Sequence, residues 1–232
     1  MQEPIKLVLL RHGKTQYNID KKFCGWTDIE LGEIGKKEAQ QAGEILKKNN
    51  FHFDIAYTSV LKRAISTTQI ALNAMGGSAA AVVQHWRLNE RCYGALQGLR
   101  HGEMAQKFGE EQVFAWRRSF DARPPQLEKS DPRYPGNDPK YSGLGENELP
   151  RGESLEDTVK RVMPCWEGEI IPALKSGKRV LVCASGNSLR AIVKIIDKIP
   201  RDKIPLLEIP TGKPLVYELG PGLEPIRHYY LK

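Results

Sequence analysis

Apolar residues fall along this chain in two alternating rhythms. Continuous runs rich in branched side chains stand at Ile5–Leu10 and Arg179–Ala184, with shorter ones at Asp54–Thr58, Val82-Val83, Pro214–Leu219 and Pro225–Tyr230. Runs of this kind read as strands. Between them lie stretches with helical periodicity: Glu30–Lys48, Val60–Leu72, Glu103–Phe120, Ser154–Leu174 and Ser188–Lys198. In the first of these Leu31, Ile34, Ala39, Ala42, Ile45 and Leu46 fall on or near one face. Ser154 is placed to cap its helix, with Asp157 in the capping-box position. Strands alternating with helices predict an α/β fold. The segment from Asp121 to Arg151 breaks the pattern: it is rich in proline and glycine and has little periodicity. Because both flanks belong to one strand-and-helix pattern, a lid-like excursion within a single domain spanning residues 1–232 is expected.

Composition narrows the class. The chain has 232 residues, 40% of them hydrophobic, enough for one substantial core. Lys plus Arg number 35 against 28 Asp plus Glu, a formal charge of +7. That balance fits a small anionic substrate. Nucleic acid is not an expected partner, because no basic stretch is interleaved with aromatics and no zinc-finger or RNA-binding motif is present. No apolar stretch approaches the roughly 20 residues that span a bilayer. The first residues lack the pattern of a secretory signal, so a cytoplasmic protein without membrane attachment is expected. Cys24, Cys92, Cys165 and Cys183 are scattered without CxxC spacing, which points to reduced thiols and to no metal site.

The chemistry gathers at strand ends. Arg11-His12-Gly13 follows the first apolar run, and Ser185-Gly186-Asn187 follows the run ending at Ala184. The carboxyl edge of an α/β sheet is where such folds place ligands. There an imidazole can act as nucleophile, an arginine can grip a planar anion by two prongs, and glycine lets backbone N–H groups approach it. Arg63 follows Thr58-Ser59 and can reach the same edge. Glu90 supplies a carboxyl for proton transfer, and Arg11, Arg63, Arg117 and Arg118 are candidate anion clamps.

Several stretches, in order along the chain, resemble the cofactor-dependent phosphoglycerate mutases of the histidine phosphatase superfamily. They are Arg11-His12-Gly13, Phe23-Cys24-Gly25-Trp26, Tyr57–Ala64, Asn89-Glu90-Arg91, Tyr93–Gly98, Trp116-Arg117-Arg118, Tyr134-Pro135-Gly136, Gly186–Ala191 and Pro210-Thr211-Gly212. The resemblance implies a three-layer α/β/α sandwich with a mixed, mostly parallel sheet. It implies interconversion of 2- and 3-phosphoglycerate through a phosphohistidine, primed by 2,3-bisphosphoglycerate and needing no metal. It also implies a homodimer or a tetramer. By position His12 resembles the phosphorylated histidine and Glu90 the general acid/base. Arg11, Asn18, Arg63, Gly186 and Asn187 resemble the phosphate pocket. Cys24, Gly25, Arg91, Tyr93, Arg117 and Arg118 resemble contacts to the rest of the substrate, and His101 stands where the family has a substrate lysine.

The chain departs from that pattern at one telling place. Where the family has Ala-His-Gly-Asn, this sequence has Ala184-Ser185-Gly186-Asn187. Serine offers one short, uncharged donor in place of an imidazole. Losing a preorganised donor of that kind costs about 3–4 kcal/mol, by analogy with an oxyanion hole. A slowed mutase, a phosphometabolite-binding protein without turnover, and an introduced substitution remain open at Ser185. A phosphatase of small phosphate esters is a further alternative. Cys92 stands for a family histidine, Ser66 for another, and Lys14 adds charge close to His12. Outside the motif, His52, His85 and His228 read as structural or exposed, and Cys92 as a packed thiol.

Overall fold

The computed structural model describes residues 3–77 and 79–232. Its centre is a sheet of β1 (Ile5–Arg11), β2 (Ile55–Thr58), β3 (Ala81–Gln84), β4 (Val180–Ala184), β5 (Leu215–Leu219) and β6 (Pro225–Tyr230). The spatial order is β3-β2-β4-β1-β5-β6. The first four of these pair in parallel, and β5 and β6 extend the sheet antiparallel.

Side chains of a strand point alternately to opposite faces, and β1 shows why its sequence is apolar throughout. Leu7 and Leu9 join a core with Val162, Leu189 and Ile192. Val8 and Leu10 enter a second core with Ala42, Leu46, Ala71 and Leu72 on the other face. Helices α2 (Glu33–Lys48) and α3 (Lys62–Ala74), which follow the short α1 (Gln16–Ile19), cover that second face. The expected three-layer sandwich is therefore present.

The helical reading needs local revision. The stretch expected as one helix over Glu103–Phe120 is two, α4 (His101–Phe108) and α5 (Glu110–Arg118), because Gly109 at φ +86° turns the chain between them. A positive φ of this size suits glycine and stops a helix. The next helix begins as expected. Ser154 Oγ accepts from the Asp157 amide at 3.1 Å, and the Asp157 carboxylate accepts from the Ser154 amide at 2.9 Å. It continues as α6 (Leu155–Cys165), a π-turn at Trp166–Ile170 and α7 (Ile171–Lys175). The last helix, α8 (Gly186–Ile196), starts two residues earlier than the expected Ser188 and stops before Lys198, which sits at φ +51°.

Residues 121–151 form an irregular strap with three short 3-10 turns. It is anchored by Leu127, Tyr134 and Tyr141, all buried. Tyr141 packs on Trp26 at 4.9 Å between ring centroids, and its hydroxyl accepts from Asn89 Nδ2 at 3.0 Å. The excursion expected to act as a lid thus braces the loop that carries Glu90. Among the described residues, no helix is long and apolar enough to cross a membrane.

The register puts the chemistry in place. Arg11 of β1 pairs with Ala184 of β4, and the His12 amide donates to the Ala184 carbonyl at 3.1 Å. His12 and Ser185 therefore leave the sheet side by side at its carboxyl edge.

Candidate active site

At that edge lies an open cavity of about 700 Å³. Ten of the residues expected at the site line it: Arg11, Asn18, Cys24, Glu90, Tyr93, His101, Arg117, Arg118, Gly186 and Asn187. His12, Gly25, Arg63, Arg91 and Ser185 are all buried and pack beneath the residues of the lining.

His12 is 3% exposed, and its ring is fixed on both nitrogens. Nδ1 lies 2.8 Å from the Gly13 carbonyl. A carbonyl can only accept, so the proton sits on Nδ1 and the lone pair on Nε2. Arg63 Nε donates to that Nε2 at 3.2 Å. Burial, reinforced by the charges of Arg63 and Arg11, holds the imidazole well below its ordinary range. The ring is thus neutral at physiological pH, with a defined nucleophilic nitrogen.

Arg63 is fully buried and held by two carbonyls, Thr27 at 2.8 Å through Nη1 and Gly25 at 2.7 Å through Nη2. Gly25 therefore acts through its backbone. Its φ of +56° aims the peptide, and a Cβ there would stand 2.0 Å from Gln97 Oε1. Arg11 bonds the Ile209 carbonyl through Nη1 at 2.8 Å, and burial lowers its pKa from the ordinary value. Asn18 accepts from the Thr15 amide and hydroxyl, both at 3.1 Å, and so closes the turn that forms one rim.

Glu90 is set by α8. Its Oε1 accepts from the Arg91 amide at 2.7 Å and from the Asn187 amide at 3.1 Å, while the carboxylate faces the cavity. The Glu90 carbonyl in turn accepts from Trp26 Nε1 at 2.6 Å and from Arg161 Nη2 at 3.1 Å. Both ends of the residue are pinned.

The far wall is cationic. Arg117 and Arg118 come from the last turn of α5. Arg190 lies one turn along α8 from Gly186, bonds Asn187 Oδ1 at 2.9 Å, and is pulled down to about 10 by burial. Arg190 was not among the expected site residues, nor were the rim residues Tyr17, Lys21 and Lys22. Helical spacing identifies Arg190, since a residue four positions after Gly186 shares its face. Arg91 stacks on Tyr93, its guanidinium carbon 4.9 Å from the ring centroid, and donates to the Arg117 carbonyl at 2.5 Å. Among the described residues, Arg11 Nε, Arg91 Nε and Nη1, Arg190 Nε and Ser185 Oγ are buried without a hydrogen-bond partner. Buried donors are normally satisfied, and two of these residues, Arg11 and Arg190, line the cavity, where their free donors suit an acceptor.

The thiols fit the structural reading. Burial pushes Cys92 up to about 12, and its backbone amide is held by Glu153. His85, Cys165 and Glu169 stand close together away from the cavity. His85 Nε2 lies 3.2 Å from Glu169, and its Nδ1 accepts from the Arg87 amide at 3.1 Å, so both ring nitrogens are engaged.

A mostly parallel α/β sheet thus brings a buried histidine and several arginines together at its carboxyl edge. The chain belongs to the histidine phosphatase superfamily, branch 1, whose model matches residues 7–230. Among solved structures, a mycobacterial glucosyl-3-phosphoglycerate phosphatase is similar at 25% identity. It superposes with a TM-score of 0.72, over 97% of this chain and 96% of the other. An alpha-ribazole phosphatase from Shigella flexneri shares the fold at 20% identity, with a TM-score of 0.66 over 97% and 95% of the two chains.

Proposed function

We propose that this chain transfers phosphoryl groups of small phosphorylated carboxylic acids through a phosphohistidine at His12, and that its reaction is the interconversion of 2- and 3-phosphoglycerate primed by 2,3-bisphosphoglycerate. The orientation of His12 supports the phosphohistidine step, which the mutase reaction shares with hydrolysis. A neutral ring with its proton held on Nδ1 by Gly13 carries its lone pair on Nε2, which attacks phosphorus in line once an entering phosphoryl group displaces the Arg63 Nε contact. The Nε2–P bond forms as the ester P–O bond breaks, and the Glu90 carboxylic acid protonates the departing alkoxide. In return, a substrate hydroxyl attacks phosphorus, its proton passes to the Glu90 carboxylate, and His12 is released. Phosphoryl transfer needs in-line positioning and charge stabilisation on the equatorial oxygens. Arg11 and the α8 N-terminus at Gly186 line the cavity and supply the charge stabilisation, while Arg63 holds the His12 ring in position. The guanidiniums of Arg117, Arg118 and Arg190 suit the second anionic group of a phospho-acid.

Hydrolysis of the same phosphohistidine is the second reading. The named phosphatases among the structural relatives favour it, as do the cavity's open mouth and a serine at position 185. In that case water replaces the substrate hydroxyl and inorganic phosphate leaves.

The deciding experiment incubates the protein with 3-phosphoglycerate, with and without 2,3-bisphosphoglycerate, and follows 2-phosphoglycerate and inorganic phosphate together. Isomer formation that depends on the bisphosphate supports the mutase. Phosphate release without isomer supports hydrolysis. Neither product, with no labelling of His12, overturns the proposal.

A further inference from the structure

His101 lines the cavity, and its ring nitrogens have no hydrogen-bond partner among the described residues. Its position is fixed from two sides. The backbone amide donates to the Lys21 carbonyl at 2.8 Å, and the ring meets Phe23 edge-on at 4.5 Å between centroids. It is the first residue of α4, where the helix dipole disfavours a positive charge. Lys21 from the turn after α1 and Arg117 from α5 both act on it as like charges. Phe23, packed on the ring, carries no charge. On its own helix Glu103 is exposed and lies 3.9 Å from Arg100. Lys22, on the same rim, lies 3.9 Å from Asp20. Glu90, elsewhere on the cavity wall, is bonded by two backbone amides. The imidazole therefore faces a cationic enclosure whose balance an incoming anion reverses.

We infer that His101 is a proton-coupled anion ligand: a phosphorylated acid entering the cavity draws a proton onto its ring, and this chain binds such substrates more tightly as pH falls. The inference rests on the reading of the cavity as a site for phosphorylated acids. In the free protein, burial and the charges of Arg117 and Lys21 push His101 down to about 4. A multiply anionic ligand restores it toward the ordinary value of about 6.5. Across that window binding takes up a proton, so the dissociation constant rises with pH by up to about tenfold per unit and levels off above about pH 7. A lysine at this position would be charged throughout and would bind without such a slope. The substitution therefore changes more than the reach of a basic group, because it ties substrate capture to acidity.

The test is calorimetric titration with 3-phosphoglycerate near pH 5.3, in two buffers of different ionisation enthalpy. It compares the parent protein with His101→Gln and His101→Lys. Protons released by the ligand itself are common to all three and cancel in the comparison. The parent is expected to take up close to one proton more per ligand bound than either variant. His101→Lys should keep measurable affinity, which shows that its pocket is intact. Binding with equal proton counts in all three proteins would overturn the role of His101 while leaving the cavity reading in place. No binding by the parent protein at pH 5.3 or at pH 7 would overturn both.

Discussion

Arg161 grips Glu153 with two prongs, Nε to Oε1 at 2.6 Å and Nη2 to Oε2 at 3.0 Å, and both side chains are buried. The same guanidinium donates to the carbonyls of Arg87, Asn89 and Glu90, while Glu153 Oε2 accepts from the Cys92 amide. One ion pair therefore clamps the chain on both sides of the proposed acid/base. Removing one partner leaves a buried charge uncompensated, which typically costs about 3–5 kcal/mol. Glu153→Gln and Arg161→Met should each destabilise the protein by about that much in urea unfolding. The double variant should cost clearly less than the sum, because no orphan charge remains. Additive costs would show that the two residues do not act as a unit.

His12 should be the residue labelled by 2,3-bisphosphoglycerate, in an acid-labile, base-stable bond, and His12→Asn should abolish the label. Its burial also has a thermodynamic signature. The folded imidazole stays neutral well below its ordinary range, whereas the unfolded one protonates near about pH 6.5. Below that pH the unfolded state binds more protons, so stability rises with pH and is lost on acidification. The limiting slope is about 1.4 kcal/mol per pH unit for one group. His12→Asn should flatten the dependence between about pH 5 and 6.5 by one proton's worth. An unchanged slope in denaturation curves across that range would place the ring in a solvated setting.

Glu90→Gln keeps the shape of the residue and removes its titratable proton. Turnover should fall by about 10²-fold or more, the usual reach of a general acid/base, with ligand affinity largely kept. Steady-state kinetics alongside calorimetric binding would separate the two. Parent-level turnover in Glu90→Gln would assign the proton transfer to another group.

Ser185→His should speed phosphoryl transfer to His12 by at least about tenfold, because an imidazolium adds a charged donor to the transferring group. Rapid-quench labelling of His12 in the two proteins measures this directly. Read as part of a loop edge, position 185 would tolerate the larger ring without cost. The structure instead buries it completely, so a destabilisation of about 1–3 kcal/mol from overpacking is expected with the gain in rate. Equal labelling rates would mean that Ser185 or a neighbour already fills the role.

What was readable in the chain follows from how local each cause is. Strand ends at Leu10 and Ala184 announce themselves through apolar runs, and the Ser154–Asp157 capping box depends on residues three apart. The break at Gly109 was hidden because both halves carry helical periodicity, and only the glycine's left-handed conformation separates them. The strap over residues 121–151 looks like a lid in composition, since proline and glycine report irregularity without saying what lies beneath. Its role as a brace depends on Tyr141 meeting Trp26 and Asn89, contacts far apart in sequence. That Arg63 covers His12 Nε2 is likewise a contact between residues far apart in sequence.

The unpaired donors of Arg11, Arg91 and Arg190 have a consequence outside catalysis. A folded chain whose cationic donors find no acceptor within the protein is held below its own best stability. An anion that satisfies them adds RT ln(1 + [L]/Kd), about 2.7 kcal/mol at a hundred times Kd. The lifetime of this protein against unfolding and proteolysis would then follow the concentration of any anion that fills the site.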